Sequence, residues 1–212
     1  MNNSLLETRW PELLRIALSA LDTLPPETRW SWGGGTALSI RLEHRISFDI
    51  DIFLSDSTSL RLLSPQRNDV VRRIADNWHE PGHYLKLLCD EGELDFIASG
   101  ILTSPGTTPW DFEGHRVPLE TVAEVIAKKL HYRASRALAR DVFDFAAALE
   151  FAPQELKDAI RAEPEGARRA ADWIRRHISR LAREWPQAVR PTKVGEALLD
   201  VDLLAVAAEL DG

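Results

Sequence analysis

The sequence predicts an α/β (α+β) chain: a small mixed sheet flanked by helices, then a helical C-terminal half. Three observations carry this. Short apolar runs separated by Gly- and Pro-containing turns occupy the first half. From Leu119 to Glu150 there is neither Gly nor Pro, which is the texture of helix. Pro153, Pro164, Pro186 and Pro191 then divide the remainder into about three more helices. The expected domains are 1–118, an α/β core, and 119–212, a helical region packed on it.

The elements follow in order. Leu13, Leu14, Ala17, Leu18 and Leu21 form one stripe, so residues 10–22 read as a helix with Pro11 near its start. Trp30–Trp32 is a short strand candidate, Gly33-Gly34-Gly35 a turn, and Thr36–Glu43 a short helix. Phe48–Leu54 is almost continuously apolar, as a covered strand requires. Ser64-Pro65 predicts a helix through Trp78. His83–Cys89 and Glu93–Ser99 flank Asp90-Glu91-Gly92, a hairpin pattern. Residues 100–110 read as a loop and Phe112–Val117 as a last strand.

Composition narrows the function classes. An apolar fraction of 44% and seven Trp belong to a folded globule. The single cysteine, Cys89, excludes an internal disulfide and a cysteine-built zinc site. No early stretch reads as a signal peptide and no apolar run approaches a membrane span, so a soluble cytoplasmic protein is expected. The formal net charge is −7, which does not advertise nucleic-acid binding. Residues 155–193 nevertheless hold ten Lys/Arg against six acids, a net of +4, leaving −11 for the rest.

The chemistry concentrates near the glycines. Successive glycines permit sharp bending and close ligand approach. The helix that follows points free N–H groups at that spot, with Thr36 able to cap it and offer a hydroxyl; phosphate is the matching guest. Asp49 and Asp51, two apart on a strand, share a face at roughly 6.5 Å. Such a pair repels unless a cation intervenes. Mg²⁺ prefers oxygen ligands and leaves room for phosphates. Asp95, between Leu94 and Phe96, is a third carboxylate for a two-metal site, with Glu93 the competing choice. Ser47 shares the face of Asp49 and Asp51, and Arg45 can reach a phosphate or pair with an aspartate. Lys129 and Asp141 are twelve apart, about 18 Å on one straight helix. Their convergence requires a turn near Ala134–Ala139.

Together, Gly34-Gly35-Thr36-Ala37-Leu38 and Arg45-x-Ser47-x-Asp49-x-Asp51-x-Phe53 resemble the first motif of the AbiEii abortive-infection toxins. Those are nucleotidyltransferase-like toxins of type IV toxin–antitoxin systems. Glu124 to Leu130, with Arg136, Arg140, Asp141 and Asp144, resembles that family's later lysine–aspartate motif. The resemblance covers about residues 30–150. It implies a polymerase-beta-like core, Mg²⁺, and a nucleoside triphosphate donor. It implies Asp49 and Asp51 as catalytic metal ligands, with Gly34, Gly35 and Thr36 at the triphosphate. Lys129 would stabilise phosphate charge, and Asp141 would be a further catalytic residue. Some members modify tRNA acceptor ends, so a toxin acting on the tRNA 3′ end is the first expectation, with the basic 155–193 segment as RNA contact and a cognate antitoxin as partner. The alternatives are a small hydroxylated acceptor, as in antibiotic nucleotidyltransferases, and a non-catalytic nucleotide- or RNA-binding member.

Overall fold

A computed structural model describes residues 8–212. They form two units. The first comprises residues up to 37, Ser47–Ile101 and Thr107–Glu120; the second comprises Leu38–Ile46, Leu102–Gly106 and Thr121–Gly212. Two short excursions, 38–46 and 102–106, belong to the helical unit despite their early place in the chain.

The first unit contains α1 (Trp10–Leu21), β1 (Trp30–Gly33), the start of α2 (Gly34–Leu42) and β2 (Ile50–Leu54). Then come α3 (Ser57–Leu62), α4 (Asp69–Arg72), β3 (Asn77–His79), β4 (Tyr84–Cys89), β5 (Gly92–Ala98), β6 (Thr107–Phe112) and β7 (His115–Glu120). The strands form one mixed sheet in the order β3-β4-β5-β2-β1-β7-β6. β2–β5 and β1–β7 are parallel; the other pairs are antiparallel. Alternation sorts the side chains. Trp32, Ile50, Ile52, Leu94 and Phe96 are fully buried on one face. Trp10 of α1 meets Trp32 with ring centroids 5.5 Å apart, and α1 lies against β2 and β5. Asp51 and Phe53 of β2 point to the opposite face.

Three expectations in this unit are corrected. The helix over 64–78 does not form. Asp56 caps α3 by accepting from Ser59 N at 2.8 Å, and Asn68 caps α4 by accepting from Val70 N and Val71 N. Pro65 falls between the two helices, because the residue before a proline is biased away from helical geometry. Trp78 lies instead on β3, paired with Leu87. The stretch Phe112–Val117 is not one strand. Glu113 and Gly114 both take positive φ, 53° and 84°, and reverse the chain as a two-residue hairpin turn. Finally, the expected loop 100–110 is partly strand, since β6 starts at Thr107.

The second unit contains the end of α2, then α5 (Val122–Arg133), a 3₁₀ turn Ala134–Arg136, α6 (Ala139–Phe151), α7 (Pro153–Ala162) and α8 (Pro164–Ala188). A 3₁₀ turn Gly195–Leu198 and α9 (Leu203–Asp211) complete it. Pro186 does not end α8; its helical geometry is interrupted at His177. The core includes Leu38, Ile126, Phe143, Phe145, Ile174 and Leu210. Gly166 lets α8 approach α5: a Cβ there would sit 2.5 Å from the Leu130 carbonyl oxygen. A late segment also clasps an early one. Ile46 N donates to Arg190 O at 2.8 Å and Thr192 N to His44 O at 3.2 Å. Gly195 presses on the same His44 carbonyl, leaving no room for a Cβ. No helix among the described residues is long and apolar enough to cross a membrane.

Candidate active site

In the sheet unit the site grows from the close packing of β1 on β2. Gly33 pairs with Asp51. Gly34 has φ +71°, which L side chains rarely adopt. A Cβ on Gly34 would lie 1.8 Å from Asp51 Oδ2, so the carboxylate rests directly against the glycine backbone. A Cβ on Gly33 would lie 2.0 Å from Glu120 Oε2. Two acidic side chains therefore flank the bend. Glu120 is fully buried and accepts from the Ser31 hydroxyl at 2.6 Å. No sequence signal singled Glu120 out, because it reaches the bend only through the parallel pairing of β7 with β1.

α2 starts at Gly34 itself, so Thr36 lies inside the first turn and is buried. Its hydroxyl donates to the main-chain oxygen of Asp49. That bond ties the helix start to the residue entering β2. Asp49 thus precedes the strand, whereas Asp51 is within it. Gly35 follows in the same first turn. Ser47 lies in the segment leading to Asp49 and is half-buried.

Asp95 lies in register with Asp51 across the parallel β2–β5 pair. Its Oδ2 takes an ion pair from Lys86 Nζ at 3.0 Å, while its buried Oδ1 has no hydrogen-bond partner among the described residues. Burial pushes the Asp95 carboxyl up to about 6; Lys86 opposes this and the neighbouring Asp51 charge adds to it. Glu93, more exposed than Asp95, also meets Lys86. Among the described residues, no group of three or more His, Cys, Asp or Glu is set to hold a metal ion. Mg²⁺ does not require such a cage: it takes one or two carboxylates plus phosphates and water. The in-register Asp51 and Asp95, with an unpartnered oxygen and a raised carboxyl, suit a divalent cation.

The helical unit holds the other cluster. The 3₁₀ turn after α5 reverses the chain, so Lys129 Nζ reaches Asp141 Oδ1 at 2.6 Å and Asp144 Oδ2 at 3.0 Å. Asp141 Oδ2 also accepts from Leu138 N at 3.0 Å, capping α6. Arg45 takes the second of its two expected roles. Its Nε and Nη2 donate to Asp144 at 2.6 and 3.0 Å, a bidentate pair. His44 Nε2 meets the same carboxylate at 2.7 Å. Burial alone would raise the Asp144 carboxyl, but Arg45 and Lys129 hold it well below the usual range. Burial lowers the His44 imidazole, whose Nδ1 has no partner among the described residues.

The basic segment is partly self-neutralised. Arg168 pairs with Glu165, Arg175 with Asp211, and Arg180 with Glu184.

The family model described as nucleotidyl transferase AbiEii toxin of type IV toxin–antitoxin systems matches residues 16–204. No curated protein sequence matches the chain. Among solved structures, a Helicobacter pylori protein described as a nucleotidyltransferase aligns with TM-score 0.50 and 18% identity, covering 94% of this chain and 89% of that one. JHP933 from Helicobacter pylori aligns with TM-score 0.50 and 18% identity, over 94% and 86% of the two chains. The antibiotic-resistance factor ANT(2'')-Ia aligns with TM-score 0.51 and 15% identity, over 80% of this chain and 97% of that one. At these identities the likeness is one of fold.

Proposed function

We propose that this chain, which belongs to the AbiEii nucleotidyltransferase toxin family, transfers a nucleoside monophosphate from a nucleoside triphosphate to the 3′ end of tRNA. One observation carries the reading: the Asp51 carboxylate lies against the Gly34 backbone and in register with Asp95. A triphosphate on that bend and a cation on those acids would be neighbours.

Asp49, Asp51 and Asp95 would hold Mg²⁺, as one ion or two. The metal would neutralise charge on the departing pyrophosphate and acidify the acceptor hydroxyl. The protein does the rest. Gly34 and Gly35 would meet the triphosphate at the N-terminus of a nine-residue helix. Thr36 fixes Asp49 through its carbonyl, and Ser47 offers a hydroxyl on the nucleotide side. The acceptor oxygen attacks the α-phosphorus in line. A new P–O ester bond forms as the α–β anhydride bond breaks. Pyrophosphate leaves with the electron pair, and the hydroxyl proton passes to solvent. For Lys129 and Asp141 the proposal is narrower: Asp141 fixes the Lys129 ammonium, whose positive charge assists turnover. A cognate antitoxin completes the expected partners.

The pairing of Arg168, Arg175 and Arg180 within the chain favours one rival, a small hydroxylated acceptor. Incubation with Mg²⁺, each α-labelled triphosphate and bulk tRNA, with and without an aminoglycoside, separates the two. Label in RNA is expected. Label only in the small molecule replaces the acceptor, and equal labelling by Asp51→Ala removes the metal assignment.

A further inference from the structure

A cleft of about 660 Å³ opens in the sheet unit at the other end of β1 and β2 from the glycine bend. Trp30, Ser31, Phe53 and Ser55 contribute to its lining, with Arg29 and Arg116 among its walls. Its position follows from the strand register. Ser31 pairs with Phe53 just as Gly33 pairs with Asp51, and residues two apart share a face. The cleft floor therefore continues the surface that carries Asp51, starting about 7 Å along β1 from Gly33. Glu120 joins the two places: Ser31 bonds its Oε1, and its Oε2 lies where a Gly33 Cβ would be.

The chemistry of the cleft is unlike that of the bend. Arg29 and Arg116 are exposed. Neither guanidinium has an ion-pair or hydrogen-bond partner among the described residues; the same holds for Arg61, Arg67 and Arg73 of this unit, but Arg29 and Arg116 are the two that line one cleft. Two unanswered cations beside hydroxyls suit phosphodiester oxygens. The volume is that of an ordinary ligand site. Carboxylates at the bend repel a polyanion, so a strand approaching them needs an anchor of positive charge on the same surface.

We infer that this cleft is the acceptor subsite: it seats the single-stranded end of the nucleic acid that receives the nucleotide, with Arg29 and Arg116 on its phosphates. The inference rests on the nucleotidyl-transfer reading above.

The test measures RNA binding apart from catalysis. Fluorescein-labelled bulk tRNA is titrated with the full-length protein, without metal or triphosphate, at several salt concentrations. The double variant Arg29→Ala/Arg116→Ala is expected to raise Kd about tenfold or more. Two lost phosphate contacts on a single strand should flatten the log–log salt slope by about 1.4. Binding of a fluorescent ATP analogue with Mg²⁺ should be unchanged. Unaltered RNA affinity and slope overturn the subsite. Equal loss of the ATP analogue also overturns it, since the cleft then serves the donor. If Arg169→Ala/Arg183→Ala on α8 carries the whole loss instead, the assignment fails. Arginine-dependent binding with no nucleotide transfer by the unaltered protein keeps the cleft as an RNA site and removes the reaction it was assigned to.

Discussion

The two units bury acids in opposite ways. In the helical unit, Asp141 and Asp144 are fully buried, yet Lys129 and Arg45 supply one cation for each. Arg133 lies 3.6 Å from Asp141 as well, so both carboxylates in this closed cluster are answered by cations. In the sheet unit, Asp95 lies in register with Asp51 across β2–β5, meets the partly exposed Lys86, and is pushed up to about 6 by burial. A buried charge is tolerated when paired and costly when not. The two carboxyls are therefore shifted in opposite directions, Asp95 up by burial and Asp144 down by Arg45 and Lys129.

The largest expected effect breaks the closed cluster. Asp144→Ala leaves Arg45 and Lys129 without their shared acceptor, and should cost about 3–5 kcal/mol in urea unfolding. A loss below about 1 kcal/mol would mean the network contributes little. Asp51→Ala should do the reverse. Its circular dichroism and unfolding midpoint should be near those of the unaltered protein, while nucleotide incorporation falls by about 10³-fold. Gly34→Ala tests the same acid through the backbone. The new Cβ has no room beside Asp51 and the φ is unfavourable, so about 1–3 kcal/mol of stability should go, with most of the incorporation.

The smallest effect is in pH. Burial lowers the His44 imidazole below 6.5, so in acid the unfolded chain takes a proton the native one refuses. Stability from this group is lost as pH falls below 6.5, and His44→Gln should remove that slope. Asp95 has the opposite sign. Its native carboxyl, at about 6, is protonated before the unfolded one at 3.8, so this group favours the fold increasingly as pH drops from about 6 to 4. Unfolding of Asp95→Asn in chelator-containing buffer should lack that gain. Parallel slopes for the two variants would erase the distinction between the regions.

Much of this was legible in the sequence where the signal was local. The α1 stripe, the β4–β5 hairpin and the glycine bend follow from periodicity and turn residues. No single helix spans 64–78, because Pro65 resembles a helix start while the cap that starts a helix is Asn68. The Glu113-Gly114 turn was hidden inside a run that alternates well enough to pass for strand. Arg45 was left between phosphate and aspartate, and its partner, Asp144, lies 99 residues away. Lys86 and Glu120 were invisible for the same reason. A charged residue on a strand reads as solvent-facing until its neighbours are known, and those come from pairing across the sheet. The reversal between Lys129 and Asp141 was stated as a requirement, and the 3₁₀ turn at Ala134–Arg136 supplies it.

The clasp of residues 190–195 on residues 43–46 has a kinetic consequence. Helices α5 to α8 can associate through contacts close in sequence, which is fast. The main-chain bonds of Ile46 and His44 to Arg190 and Thr192 instead close a loop of about two thirds of the chain. That closure bears a large entropic toll and comes late. During synthesis, the stretch bearing His44 and Arg45 must therefore wait for residues made well over a hundred codons afterwards before its last backbone bonds can form.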